Sequence, residues 1–142
     1  MGFWHYCSVY SKPVTMQSIV TIESGGNPYA IDDDTAHRSY FLRSRQSAIL
    51  TAKRLLAMGH NIDMGLAQIN SSNLYIVGGS VSRLFNPCYN IEAGSYILYK
   101  FYVRALSVFG YKQALFRSLM AYNTGSYYRG YNYAYKVWYA LQ

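Results

Sequence analysis

The segment 16–28 reads Met-Gln-Ser-Ile-Val-Thr-Ile-Glu-Ser-Gly-Gly-Asn-Pro and contains the most informative residue of the chain. Met16, Ile19 and Val20 precede Glu23 by seven, four and three positions, so all four side chains share one face of a helix. The Gly-Gly pair that follows suits left-handed backbone and ends this helix. Glu23 therefore places a carboxyl group where the core pattern calls for an apolar side chain.

Such a placement changes the chemistry expected of Glu23. Burial disfavours the ionised carboxylate and raises its pKa, so the group can hold a proton near neutral pH. A proton-donating carboxylic acid at the edge of a cleft is what cleavage of a glycosidic bond requires. The alternative is that Glu23 is a solvated residue or a capping partner at a helix end.

Composition indicates one folded domain over 1–142. The chain has 142 residues, of which 51% are hydrophobic and 13% charged, with a formal net charge of +7, so disorder is not expected. The basic residues are scattered, which argues against a nucleic-acid-binding stripe, although diffuse positive charge favours polyanions, including an acidic cell-wall polymer. No apolar run is long enough to predict a membrane span.

The chain has two cysteines, Cys7 and Cys88. Two cysteines without CxxC or Cys/His spacing argue against a metal site, and no metal is expected. In an exported domain they would form one disulfide, while the alternative is two separate buried thiols. Residues 1–7 show no charged segment followed by an apolar one, so no signal peptide is visible, and an exported chain would be the mature form with a start Met added.

Five helices are predicted from apolar periodicity and capping residues. They cover 11–23 or 15–23, 46–58, 90–109, 112–123 and 132–141. Asn90 is expected to cap the third helix, and Gly110 to end it. Between the helices, 32–34 is interpreted as a turn, 39–42 as a short strand or hairpin arm, and 61–73 as mostly loop with a possible short helix.

Four segments in order resemble the soluble-lytic-transglycosylase superfamily, which shares the goose-type lysozyme fold. They are Ile-Glu-Ser-Gly-Gly-Asn-Pro-Tyr-Ala-Ile at 22–31, Gly-Leu-Ala-Gln-Ile-Asn at 65–70, Asn-Pro-Cys-Tyr-Asn-Ile at 86–91 and Ala-Tyr-Asn-Thr-Gly at 121–125. Each segment alone is weak, but the set is specific. The run 27–31, the run 61–66 and the paired cysteines Cys7 and Cys88 are most similar to the small wall-degrading transglycosylases of type IV secretion systems.

The resemblance implies a mainly α, lysozyme-like α+β fold, with five or so helices around a substrate cleft and a small irregular or hairpin segment. It implies cleavage of the bond between N-acetylmuramic acid and N-acetylglucosamine in peptidoglycan, with formation of a 1,6-anhydro ring and without a cofactor. Glu23 would be the catalytic acid and then the base. The implied substrate-binding residues are Ser24, Gln68, Asn70, Tyr122 and Asn123.

The resemblance further implies a periplasmic protein whose partners are peptidoglycan glycan strands and the subunits of a type IV secretion system. Two alternatives stay open: a muramidase that uses water, and a non-catalytic wall-binding assembly factor. Tyr122 would hydrogen-bond Glu23 or the substrate's acetamido group, or else be a core tyrosine. Asp63 is interpreted as a turn residue and Glu92 as a first-turn helix residue, neither of them catalytic.

Overall fold

The computed structural model describes residues 7–142. The expectation about a signal peptide concerns residues that, apart from Cys7, lie outside this range. The elements in chain order are α1 (Pro13–Glu23), β1 (Ala30–Asp33), β2 (Arg38–Phe41), α2 (Arg45–Ala57), β3 (Ile62–Met64), β4 (Ile69–Asn70), a 3-10 turn (Ser71–Asn73), α3 (Val81–Leu84), α4 (Pro87–Phe109), α5 (Tyr111–Thr124) and α6 (Tyr131–Ala140). The predicted mainly α fold with a small β segment is confirmed.

The helix boundaries follow from local chemistry. Pro13 occupies the first turn of α1, where its missing N–H costs no helical hydrogen bond. The helix α4 begins one turn earlier than predicted, because the Asn86 side chain accepts a hydrogen bond from the backbone N–H of Tyr89. The prediction that Asn90 caps α4 is wrong, since Asn90 lies inside the helix and is fully buried. Gly110, with φ of 80°, ends α4 as predicted.

Four short antiparallel strands form a sheet in the order β2-β1-β3-β4. The predicted arm at 39–42 is confirmed as β2. The prediction of a turn at 32–34 is wrong for its first two residues, since Asp32 and Asp33 belong to β1. Asp63, interpreted as a turn residue, lies in β3 opposite Asp32, and the segment 61–73 carries β3, β4 and the 3-10 turn in place of a loop.

The core lies between α1, the sheet and α4. Met16, Ile19 and Val20 are at most 1% exposed, so the apolar face predicted for the first helix is the buried one. Asn90 joins three segments in this core: its side chain accepts from the N–H of Ala67 at 2.7 Å and donates to the carbonyls of Met64 and Leu84 at 2.9 and 2.8 Å. These bonds fix the position of the turn between β3 and β4.

A disulfide between Cys7 and Cys88 ties the segment before α1 to the first turn of α4. The two residues are 81 positions apart in sequence, and their Cα atoms are 5.1 Å apart. The predicted disulfide is therefore confirmed. Within residues 7–142, every helix is too short or too polar to cross a membrane.

Candidate active site

A cleft of about 600 Å³ opens between the sheet on one side and α4 and α5 on the other. The predicted site residues Glu23, Gln68, Asn70, Tyr122 and Asn123 line it together. They come from the end of α1, the turn before β4, β4 itself and the end of α5. The cleft is also lined by Asp32, Asp34, Asn61, Asp63, Ile69, Ser72, Asn73, Ile97, Phe101, Ala121, Thr124 and Gly125.

Glu23 is the last residue of α1 and sits in the wall of the cleft. Burial raises the pKa of its carboxyl group to about 7, and the nearby charges of Asp32 and Asp34 add to this increase. The hydroxyl of Tyr133 acts in the opposite direction and lowers the pKa. The balance leaves Glu23 able to give up and recover a proton near neutral pH.

Tyr133, on α6, is a site residue that the sequence did not reveal. Its buried hydroxyl makes no hydrogen bond of regular geometry among residues 7–142, yet it lies close enough to Glu23 to influence the pKa of that carboxyl. Burial and the charge of Glu23 raise the pKa of Tyr133 itself far above its usual range. The side chain therefore stays neutral and can only offer its O–H to the carboxylate.

Ser24, which is predicted to bind substrate, makes hydrogen bonds that hold the end of α1 next to Glu23. Its hydroxyl donates to the carbonyl of Leu66 at 2.7 Å and approaches that of Val20 at 3.2 Å. It also accepts from the N–H of Gly26, and it is not among the residues that line the cleft. Ser24 thus fastens the end of α1 to the turn before β4.

Gln68 is unusual in both its backbone conformation and the hydrogen bonding of its side chain. Its φ of 51° is unusual for a residue other than glycine, and such strain clusters at functional sites. The side-chain nitrogen donates to the carbonyls of Ala30 and Gly65 at 3.2 and 3.0 Å. The side-chain oxygen is buried and has no partner within the described chain, although Gln68 as a residue lines the cleft.

The hydroxyl of Tyr122 donates to the carbonyl of Ala67 at 2.8 Å, not to Glu23 as expected. Burial raises the pKa of Tyr122 well above its usual range, with the charge of Glu23 adding to the effect. Gly94 makes room for this contact, because a Cβ there would lie 2.9 Å from the Tyr122 oxygen and 2.8 Å from the Ala67 Cβ. Tyr122 thus holds the turn that carries Gln68.

Asn70 is oriented by its neighbours on the sheet. Its oxygen accepts from the backbone N–H and the hydroxyl of Ser72 at 2.9 and 2.6 Å, and its nitrogen donates to Asp63 at 2.8 Å. Burial and the neighbouring Asp34 raise the pKa of Asp63. Asp63 is therefore a cleft residue that the sequence analysis set aside, and only its alternation with the buried Ile62 and Met64 could have indicated it.

The comparison with known families agrees with this geometry. Residues 7–136 match the transglycosylase SLT domain. The chain belongs to this family. Within residues 7–142 of this SLT domain, no group of three His, Cys, Asp or Glu side chains is arranged to hold a metal ion.

The relatives of this SLT domain include virB1 proteins. The chain is 41% identical over 100 residues to the type IV secretion system protein virB1 of Brucella abortus, a match that covers 70% of this chain and 42% of the relative. It is 28% identical over 130 residues to the protein virB1 of Agrobacterium fabrum, covering 92% and 53%. The chain thus spans about half the length of these relatives. No solved structure matches it.

Proposed function

We propose that this SLT domain is a peptidoglycan lytic transglycosylase that cleaves the β-1,4 bond between N-acetylmuramic acid and N-acetylglucosamine. The observation that carries the proposal is Glu23, a carboxyl group with a pKa of about 7 in the wall of a polar cleft. Membership in the transglycosylase SLT domain family supports it. A cleft of about 600 Å³ is within the size range of ligand sites.

In the first step, Glu23 acts as the general acid. Its proton passes to the oxygen that bridges the two sugars, the bond from that oxygen to C1 of the muramoyl ring breaks, and N-acetylglucosamine leaves with a free 4-hydroxyl. Positive charge develops on C1 and the ring oxygen. Glu23 is left as a carboxylate beside this charge, where it stabilises the oxocarbenium character electrostatically.

In the second step, the same carboxylate acts as the base. It takes the proton from the muramoyl C6 hydroxyl while the C6 oxygen bonds to C1, which closes a 1,6-anhydro ring and returns Glu23 to its acid form. Because the nucleophile belongs to the substrate, it has the entropic advantage of proximity and needs no positioned water. One carboxyl group with a pKa near neutrality can therefore perform both proton transfers.

The remaining cleft residues supply binding. The side-chain oxygen of Gln68 has no partner in the described chain and would accept a hydrogen bond from a sugar hydroxyl or acetamido N–H once the side chain turns towards the cleft. Asn123, at the end of α5, offers an amide donor and acceptor on the opposite wall. Ser24 and Tyr122 hold these groups in place through Leu66 and Ala67.

The similarity to virB1 proteins supports a role in opening the cell wall for a type IV secretion apparatus. The substrate would then be glycan strands in the periplasm, and secretion-system subunits would be partners. The net charge of +7 would concentrate the protein at a wall polymer that bears carboxylates. The screening of that attraction by salt would weaken wall association.

Replacement of Glu23 tests the proposal. We expect Glu23→Gln to lower the release of 1,6-anhydro muropeptides from purified peptidoglycan by about 100-fold or more, because the amide cannot transfer a proton. Mass spectrometry of the released fragments measures both their amount and their end group. Glu92→Gln, which removes an exposed carboxylate from α4, is the matched control and should retain activity.

The end group of the released fragments distinguishes a transglycosylase from a muramidase, and the presence of cleavage distinguishes both from an assembly factor. Products that carry one additional water would show a hydrolytic muramidase. An absence of cleavage by the wild-type protein, together with retained binding to the wall in both variants, would indicate a non-catalytic assembly factor. Circular dichroism of Glu23→Gln confirms that any loss of activity does not come from unfolding.

A further inference from the structure

Three of the chain's carboxylates lie on one face of the small sheet. Asp32 in β1 is directly opposite Asp63 in β3, which is directly opposite Asn70 in β4. Asp34 follows the last residue of β1, and its carboxylate lies on the same side, 3.5 Å from the side-chain nitrogen of Asn70. We call Asp32, Asp34 and Asp63 the acidic face, and all three line the cleft with Glu23.

The acidic face is unfavourable for folding. Like charges directly opposite each other on neighbouring strands are destabilising. The other face of the same strands carries the buried Ile31, Ile62 and Met64, and its one acid, Asp33, is paired with His60 at 2.7 Å. Only the cleft side of the sheet therefore has carboxylates without a basic partner among the described residues.

Hydrogen bonds show how the acidic face is held together. The oxygen of Asn70 accepts from Ser72, which turns the Asn70 nitrogen towards the carboxylates. That nitrogen donates to Asp63 at 2.8 Å and is 3.5 Å from Asp34. Burial, the hydrogen bond with Asp34 and its charge favour the protonated form of Asp63. A neutral Asp63 in β3 reduces its repulsion with Asp32 on the neighbouring strand β1.

The cleft next to the acidic face is also built to receive a ligand. The side-chain oxygen of Gln68, a residue only 7% exposed, is buried without a partner in the described part of the chain. A buried acceptor without a donor costs free energy, and a donor on a bound sugar would satisfy it once the Gln68 side chain turns towards the cleft. The acids and Gln68 line the same cleft.

We propose that Asp32 and Asp34 are positioning residues for the reaction of Glu23. Their negative charges line the same cleft as the Glu23 carboxyl and add to its burial in favouring the acid form before the glycan binds, while Asp63, opposite Asp32 on β3, is held by Asn70. This inference deepens the proposed function and rests on it for its catalytic consequence. Its electrostatic part stands independently of whether the protein cleaves peptidoglycan.

The groups that face Glu23 come from four elements. The acidic face extends from β1 and β3, Tyr122 lies on α5 and Tyr133 on α6. Tyr133 favours the carboxylate, whereas the charges of Asp32 and Asp34 oppose it. Asp32 and Asp34 therefore add to burial, which is the larger effect, in favouring the acid form of Glu23.

The first experiment follows the Glu23 carboxyl directly by carbon-13 NMR as a function of pH. In Asp32→Asn/Asp34→Asn, the midpoint of the Glu23 titration should fall by about one pH unit, because two like charges are removed while burial persists. In Asp63→Asn the midpoint should fall by less than in that double variant, because burial and Asp34 favour the neutral form of Asp63. Glu92→Gln is the control for a general change in charge and should leave the midpoint unchanged.

The rank order of the variants decides the proposal. An unchanged midpoint in Asp32→Asn/Asp34→Asn, or a fall in Asp63→Asn as large as in that double variant, would overturn it. Removing the repulsion among these carboxylates should not impair folding of the double variant. The single variants Asp32→Asn and Asp34→Asn provide a second test of the same charges. Each should lower the midpoint by about half a unit, and an unchanged midpoint in both would also reject the proposal.

The second experiment measures the rate of wall cleavage from pH 5 to pH 8.5. The Asp32→Asn/Asp34→Asn variant should lose activity at lower pH than wild type, with a rate about tenfold lower at pH 8 when each is normalised to its rate at pH 5, since one pH unit is one decade in the acid form. A purely structural defect would lower the rate equally at all pH values and contradict the proposal. Failure of the wild type to cleave would reject the proposed function alone, and the NMR titration would still test the charges.

Discussion

At the scale of single residues, the protein maintains Glu23 at the expense of stability. The folded state shifts the pKa of this carboxyl from an ordinary value of 4.5 to about 7. Between these values the folded protein binds a proton that the unfolded chain has released, so stability falls as pH rises through this window. The loss is complete above the folded pKa, and it corresponds to about 3 kcal/mol at one pKa unit per 1.36 kcal/mol.

Glu23→Gln should therefore be more stable than the wild type at alkaline pH. We expect its free energy of unfolding to exceed that of the wild type by about 2 to 3 kcal/mol at pH 8 and to equal it near pH 4, because the amide has no charge to bury. Urea denaturation at the two pH values measures the difference. Glu92→Gln should show no such pH-dependent gain, and an equal pH dependence in wild type and Glu23→Gln would contradict the buried acid.

Local sequence patterns were sufficient to predict several of the residues that line the cleft. Glu23 was found from three apolar positions on its own helix, and Gln68 and Asn123 from short motifs that also line the cleft. Tyr133 was missed because its partner lies on a helix more than 100 positions away in sequence. No local spacing distinguishes this tyrosine from the other tyrosines of the same helix.

At the scale of elements, the turn between β3 and β4 depends on one side chain of α4. Asn90 accepts from Ala67 and donates to Met64 and Leu84, and it is fully buried. Gly65 allows this approach, because a Cβ there would lie 2.2 Å from the Asn90 nitrogen. The backbone that positions Gln68 is thus held by α4 and not by the sheet alone.

Asn90→Ala should destabilise the protein by about 2 to 4 kcal/mol, because it leaves one buried N–H and two buried carbonyls without their partner. The fall in melting temperature measured by calorimetry should be accompanied by weaker binding of glycan fragments, since the Gln68 turn loses its support. Asn132→Ala, at an exposed position of α6, is the control and should change stability by less than about 0.5 kcal/mol. A similar small change in Asn90→Ala would show that the turn is held by other contacts.

The elements themselves were predictable in proportion to their length. The long helices appeared at nearly the predicted positions, because apolar periodicity persists over several turns. The strands β3 and β4 have three and two residues, too few to show an alternating pattern, and α3 has four. In Asn-Pro-x-x-Asn, both asparagines can cap a helix, and only the structure shows that Asn86 caps and Asn90 enters the core.

At the scale of the whole molecule, the cleft is assembled by contacts between distant segments. Ser24 at the end of α1, Asn90 in α4 and Tyr122 in α5 all bind the backbone of one short turn, at Leu66 and Ala67. Each of these bonds joins residues that are at least 23 positions apart in sequence. A motif can indicate that these residues matter, but their convergence on one turn is a property of the fold.

The disulfide contributes to this assembly from outside the cleft. Cys7–Cys88 closes a loop with a sequence separation of 81, which in the chain-entropy model stabilises the folded state by about 4 to 5 kcal/mol. We expect the double variant Cys7→Ser/Cys88→Ser to melt about 10 to 20 °C below the wild type, given the usual size of such shifts for a domain of this length. Differential scanning calorimetry measures the change.

Treatment with a reductant provides the matched comparison, because it opens the same loop without a substitution. It should lower the melting temperature of the wild type and leave that of Cys7→Ser/Cys88→Ser unchanged. Since the bond lies between the segment before α1 and the first turn of α4, away from Glu23, the reduced protein should keep the Glu23 titration midpoint while it is folded. An unchanged melting temperature in the reduced wild type would mean that packing alone holds the N-terminal segment on α4, and the loop-closure argument would fail.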